Sequence, residues 1–358
     1  MVVNELLADK KLLGLAIEAL YEETGLKLRP YDEPLLDDRY FDATLGVEGY
    51  DYLTFNVEIK PWAQQANLGV IINKIKELPG NGMLVADYVN PNMAEKLRKL
   101  DVPFIDTRGN AYINEKPLYI FVTGNKNPAE NKLLKTQALG RAFQAKGLKV
   151  VYELIRTPEL VNAAYRDIAD IVGVALGTVG WVVNDLKQEG YLIEYGKKQR
   201  RLKNRKQLLN KWVDAYLQKL RPKLLLGTFA SDNPYWWLDV DDNISDYGAR
   251  WGGEVAAAKY TGHLKPEDIT IYLLEDHLKQ LLTENRLRKD PQGYIQIYKA
   301  FWNEEKWGQG FRRVTEELNG CVDPLIAYAD LLATGDPRNL ETARMLYDEK
   351  LVRLVQDD

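Results

Sequence analysis

The sequence predicts a multidomain α/β protein. It reads as a mixed α/β domain over 1–130, a small helical module with a basic hairpin over 131–222, and an acidic, mainly α domain with a few strands over 223–358. Three observations carry this. Strands of alternating polarity, separated by helix-period stretches, fill the first third. Ala169, Gly173, Val179 and Val182 stand at A-x3-G-x5-V-x2-V spacing, which suits two helices crossing closely around a tight turn. Charge is also partitioned: 147–222 carries 14 Lys+Arg against 8 Asp+Glu, and 223–358 carries 16 against 24, within a total of −4.

In chain order, residues 4–25 form an amphipathic helix through Leu6, Leu7, Leu12, Leu13, Leu15, Ala16, Ala19 and Leu20, ended by Gly25. Strands follow at 39–45 and 52–60, with the turn at 46–51. In the second strand Phe55, Val57 and Ile59 share one face and Asn56, Glu58 and Lys60 the other. A helix over 64–78, a strand over 83–88, a helix over 93–100 and strands at 103–106, 111–113 and 118–123 complete a central sheet.

Asp42, with Glu58-Ile59-Lys60 sixteen residues later, resembles the D…ExK core of the restriction-endonuclease-like fold. The chemistry behind that pattern is two carboxylates holding Mg²⁺ while a lysine orients or activates the attacking water. The order helix, strand, strand, helix, strand agrees with that α/β/α fold. Alternating polar residues on a solvated strand face are the competing explanation. Gln64 and Gln65 lack a tyrosine four residues on, so the fold is better supported than the activity.

The polar, Pro128-containing stretch 125–130 marks a boundary, and helices are expected over 131–145 and 148–156. In the second crossing helix Val179, Val182 and Leu186 make the buried stripe. Leu176, Gly177, Gly180, Trp181, Asn184 and Lys187 face outward. Two glycines in one helix cost roughly 1 kcal/mol each, which makes sense where that face must approach a surface closely. A strand at 190–194 then leads to seven basic residues within 197–206. The layout resembles the winged helix-turn-helix of bacterial transcription regulators. That resemblance implies groove contacts from Thr178, Trp181, Asn184 and Lys187, and phosphate contacts from Lys197, Lys198, Arg200, Arg201 and Lys203, on double-stranded DNA. A three-helix packing module with a solvated basic loop is the alternative. The helix over 208–220 offers Leu208, Leu209, Trp212, Tyr216 and Leu220 either to its own core or to a homodimer.

Beyond this, strands are expected at 224–229 and 269–274. Helices are expected at 254–261, 277–287, 310–318, 324–332 and 337–351, the last started by Asp336-Pro337. Asp239 and Asp241 lack the preceding Gly-Ser turn of a nucleotidyltransferase dyad. The aromatic cluster Tyr235, Trp236, Trp237, Tyr247 and Trp251 suits a core or an interface, and this acidic domain a contact with another protein.

A lone Cys321, with only His263 and His277, excludes a disulfide framework, multi-cysteine metal sites and histidine-rich ones. Charges interrupt the N-terminal apolar stretch and no run approaches a membrane span, so a cytoplasmic protein without membrane association is expected.

The phrases LVADYVNP, FIDTRGNAYI and LYIFVTGNK, over 84–91, 104–113 and 118–126, resemble AbiEi-type antitoxins and related regulators of type IV toxin–antitoxin systems. So do WGGEVAAAKYTGHLKPEDITIYL (251–273) and YADLLATGDPRNLETARMLYDEKL (328–351). The resemblance implies a DNA-binding repressor, often encoded beside a nucleotidyltransferase-like toxin that it counters, and requires no cofactor.

Overall fold

The computed structural model describes residues 2–31, 41–61, 63, 67–125, 140–195, 199–302 and 320–356. The chain packs as two compact units, Met1–Gln137 and Ala138–Asp358.

The first unit is a seven-stranded sheet in sequence order, β1 (Leu28–Pro30), β2 (Ala43–Val47), β3 (Tyr50–Lys60), β4 (Gly82–Ala86), β5 (Phe104–Asp106), β6 (Ala111–Glu115) and β7 (Leu118–Val122). Pairing is antiparallel from β1 to β3, parallel from β3 to β5, and antiparallel again to β7. The two parallel steps are crossovers through α2 (Leu68–Glu77) and α3 (Pro91–Lys99). α1 (Val2–Thr24) buries Leu12, Leu13, Ala16 and Leu20 against Phe55, Val57, Ile59, Met83, Val85, Ile105 and Ile113. The alternating residues of β3 point the other way, beneath α2. Gly25 ends α1 at a φ of 73°, as expected of a left-handed terminator.

The second unit opens with α4 (Ala145–Arg156), whose Leu148, Val151, Tyr152 and Ile155 are buried. Around it lie α5 (Tyr165–Val172), α6 (Leu176–Gln188), the hairpin of β8 (Leu192–Tyr195) with β9 (Gln199–Leu202), and α7 (Arg205–Ala215). A further turn and the short α8 (Arg221–Leu224) lead into a five-stranded sheet of order β11-β12-β14-β10-β13. Its strands are β10 (Leu225–Ala230), β11 (Ala249–Gly252), β12 (Ile269–Leu273), β13 (Arg288–Lys289) and β14 (Ile295–Lys299). Helices α9 (Trp236–Asp239), α10 (Gly253–Thr261), α11 (Leu278–Glu284), α12 (Pro324–Thr334), α13 (Pro337–Leu346) and α14 (Val352–Val355) surround it.

Two features of the second unit lie beyond the sequence reading. The C-terminal region, expected as mainly α with a few strands, carries a five-stranded sheet among its helices, and the sequence reading found two of those strands. The helical module and the C-terminal region, read as separate domains over 131–222 and 223–358, also share one compact unit. The physical reason is an aromatic column. Tyr152 stacks on Trp212 at 5.5 Å, Trp212 on Tyr216 at 4.8 Å, and Phe301 closes on Tyr152 at 5.1 Å. The Tyr216 and Tyr272 hydroxyls meet at 2.9 Å. The stripe Leu208, Leu209, Trp212, Tyr216 and Leu220 is therefore buried inside the unit and does not offer a pairing face to a second copy. Trp251 and Trp236 are likewise core, while Tyr235 is exposed.

Asp336 caps α13 as expected, accepting from the Arg338 and Asn339 N–H groups ahead of Pro337. The helix expected over 310–318 lies outside the described residues. Among the described residues no single helix is long and apolar enough to cross a membrane.

Candidate nucleic-acid interface and a buried ion cluster

Between α5 and α6 the chain bends by 109°. Gly173 supplies the turn at a φ of 70°, and the N–H groups of Gly173 and Val174 both return to the Ala169 carbonyl. Val179, Val182, Val183 and Leu186 of α6 are buried, while Leu176, Gly177, Trp181 and Asn184 are exposed, Trp181 by 53%. A Cβ at Gly177 would meet nothing within 4 Å, so that glycine is not demanded by packing inside the unit. The outward face read from the sequence is therefore open along the helix.

The hairpin is docked beside this face. The Arg200 N–H donates to Asn162 Oδ1 at 2.7 Å, and Asn162 Nδ2 donates back to the Arg200 carbonyl at 3.0 Å. The Arg200 guanidinium donates to the Ala163 carbonyl at 3.0 Å and lies 4.9 Å from the Tyr165 ring centre. Arg200 thus anchors the hairpin to the entrance of α5. Lys187 is paired with Glu194 of β8, which ties α6 to the hairpin and compensates that charge. Thr178 is half-buried, Arg201 half-buried and Lys203 exposed. Lys197 and Lys198 lie outside the described residues.

One contributor was missed. Arg141, on the short turn before α4, stacks 4.1 Å from the Trp181 ring centre and is itself exposed. Asp185, one turn after Trp181, fixes that turn by accepting the Ala142 N–H at 2.9 Å. An isolated arginine between small residues leaves no periodic signal in the sequence.

Residues 201–352 match the model of a family described as transcriptional regulator, AbiEi antitoxin, type IV TA system. Over these residues the chain is similar to that family. Comparison with curated proteins and with solved structures gave no match. The AbiEi match begins on β9 and covers α7 and the C-terminal sheet; α5, α6 and the first unit precede it. Within the AbiEi segment the resembling phrases prove to be one packing site. Asp330 accepts from Arg221 Nε at 2.8 Å, from the Tyr272 hydroxyl at 2.8 Å and from the Gly253 N–H at the start of α10 at 3.2 Å. A Cβ at Gly252 would fall 2.7 Å from the Tyr272 ring, so the glycine of WGGE is required by close approach. Asp241 is paired with Lys259 at 2.8 Å and is thereby charge-compensated.

In the first unit Asp42, Glu58 and Lys60 do come together. Asp42 sits just ahead of β2, where its Oδ2 accepts the Ile59 N–H at 2.7 Å. Glu58 is only 1% exposed, while Asn56 and Lys60 on the same strand face are half-buried. Its Oε1 takes both Lys60 at 3.1 Å and Lys74 of α2 at 2.5 Å. Lys74 was not foreseen, because its partner lies sixteen residues back on another element. Gln64 and Gln65 lie outside the described residues. Burial alone pushes Glu58 up, yet Lys60 and Lys74 outweigh it and hold the carboxyl below the usual range. Burial, then the Glu58 charge, pushes Asp42 up. The cluster does not fit a divalent cation as it stands. Two ammonium groups already occupy the acidic oxygen, and among the described residues no three His, Cys, Asp or Glu converge.

A depressed Glu58 contributes stability that is present above the unfolded value, about 4.3, and is lost as pH falls through the folded value. Raised Asp42 has the opposite sign, favouring the fold at low pH. Protonated Glu58 is nearly isosteric with glutamine. Glu58→Gln should therefore cost about 3 kcal/mol at pH 7, where it strands two lysines, and the gap to wild type should shrink on acidification below about pH 4. Urea midpoints across that range check this; a pH-independent gap contradicts the ion-pair account.

Proposed function

We propose that this protein is a transcriptional repressor that grips duplex DNA with a winged helix-turn-helix, acting as the antitoxin of a type IV toxin–antitoxin system. The observation that carries the reading is the open face of α6, with Trp181 and Asn184 outward, beside a basic hairpin docked onto the same module. In this arrangement α6 lies in the major groove, Arg141 and Trp181 flank it, and Lys203, Arg201, Lys197 and Lys198 approach phosphates. Arg200 and Lys187 position the hairpin. A homodimer on paired half-sites doubles the contact, and the match to the AbiEi model supports a toxin partner, in this reading a nucleotidyltransferase-like one encoded alongside.

The test is the salt dependence of binding to duplex DNA from upstream of the gene. Arg201→Gln with Lys203→Gln should reduce the slope of log K against log salt by about 0.9 for each lost phosphate contact. An unchanged slope removes the hairpin from the interface.

A further inference from the structure

Four charges meet beneath α2, and they are already balanced. Asp42 and Glu58 supply two carboxyls; Lys60 and Lys74 supply two ammonium groups, both on Glu58 Oε1. The side chain of Glu58 is 1% exposed, whereas those of Lys60 and Lys74 are 26% and 32% exposed, so the lysine stems close the cluster from outside. Glu58 Oε2 is buried and accepts no hydrogen bond from any described residue. A buried carboxylate oxygen without a donor is expensive, and it is the kind of atom a hard cation takes. Yet a divalent ion here would have to share Glu58 with an ammonium group at direct contact distance. The repulsion between a dication and a neighbouring ammonium in a low-dielectric site opposes that strongly.

We infer that Lys74 is the resident cation of this site. Its ammonium holds the Glu58 oxygen that a divalent ion would need, so the first unit is a metal-independent scaffold with a latent metal site. The latent ligands are Glu58 Oε2, the Glu58 oxygen released by Lys74, and Asp42; their all-oxygen character selects Mg²⁺ or Mn²⁺. Lys60 remains on β3 and keeps one countercharge for Glu58. Lys74 departs from the D…ExK pattern, in which the pair of carboxylates is left open for metal. The inference is independent of the DNA-binding reading, since it concerns only the first unit.

Manganese titrated into the full chain, followed by the electron-paramagnetic signal of the free ion and by thermal melting, tests this. Wild type should not take up Mn²⁺ at about 1 mM, a concentration matching the weakest specific affinities. Lys74→Met, which keeps the buried stem and removes the charge, should bind at least about tenfold more tightly, equivalent to 1.4 kcal/mol. Adding Glu58→Gln to Lys74→Met should abolish the gain, and Lys74→Arg should stay blind to the metal. Should Lys74→Met fail to fold, Lys74→Gln serves the same arm. Uptake by wild type that Glu58→Gln removes overturns the inference, as does a Lys74→Met or Lys74→Gln protein that folds and gains no affinity.

Discussion

Asp330→Ala should destabilise the second unit by about 3–5 kcal/mol, the cost of leaving a buried charge unpaired. Asp330 is 2% exposed, and the change removes an acceptor from three groups at once: the Arg221 guanidinium, the Tyr272 hydroxyl and the Gly253 N–H. Arg221 also lies 4.3 Å from the Tyr298 ring centre, so it cannot swing to water without breaking that stack. A loss of this size is a large part of the 5–15 kcal/mol that holds an ordinary domain together. The partner substitution separates charge from shape. Arg221→Met in the Asp330→Leu background should recover part of the loss, because an apolar pair of similar volume replaces the ion pair. Urea unfolding reports both. A single-mutant loss below about 1 kcal/mol, typical of a surface pair, contradicts the role given to Asp330.

Trp181→Ala should act in the opposite manner, on binding and not on the fold. The ring is half in solvent and rests on Arg141, so its removal should change stability by no more than about 0.5 kcal/mol. An aromatic anchor at a recognition surface is worth about 2 kcal/mol, or roughly 30-fold in affinity. Arg141 loses its stacking partner in the same change while its turn stays fixed by Asp185. The effect should therefore exceed that of a lone phosphate contact.

How much of this was legible follows from where each signal resides. The alternation Phe55, Val57, Ile59 against Asn56, Glu58, Lys60 was enough to place β3, because a strand writes its two faces into a two-residue period. It did not show that the polar face is covered, since α2 and its Lys74 arrive from elsewhere in the chain. The 169–182 spacing placed α5, Gly173 and α6 with their buried and open stripes, because that geometry is local. Ile295-Gln296-Ile297 carries the same alternation over only three residues before Tyr298 breaks it, and it forms the central strand β14. β11 and β13 are four and two residues long, too short for a period to appear. The union of the helical module with the C-terminal sheet depends on Tyr152, Trp212 and Phe301 meeting across great sequence separation. Nothing local announces such a contact. Residues 39–40, 64–66 and 131–139, which carry parts of the expected first strand, second helix and the helix over 131–145, lie outside the described residues.

The most direct measurement is a fluorescence-anisotropy titration of labelled upstream duplex with the wild-type chain and with Trp181→Ala, at fixed salt and with melting curves of both. We expect the wild type to bind and Trp181→Ala to bind about 30-fold more weakly while melting at the wild-type temperature. Equal affinity of the two proteins, or no binding of duplex by the wild type, contradicts the claim that the open face of α6 meets DNA.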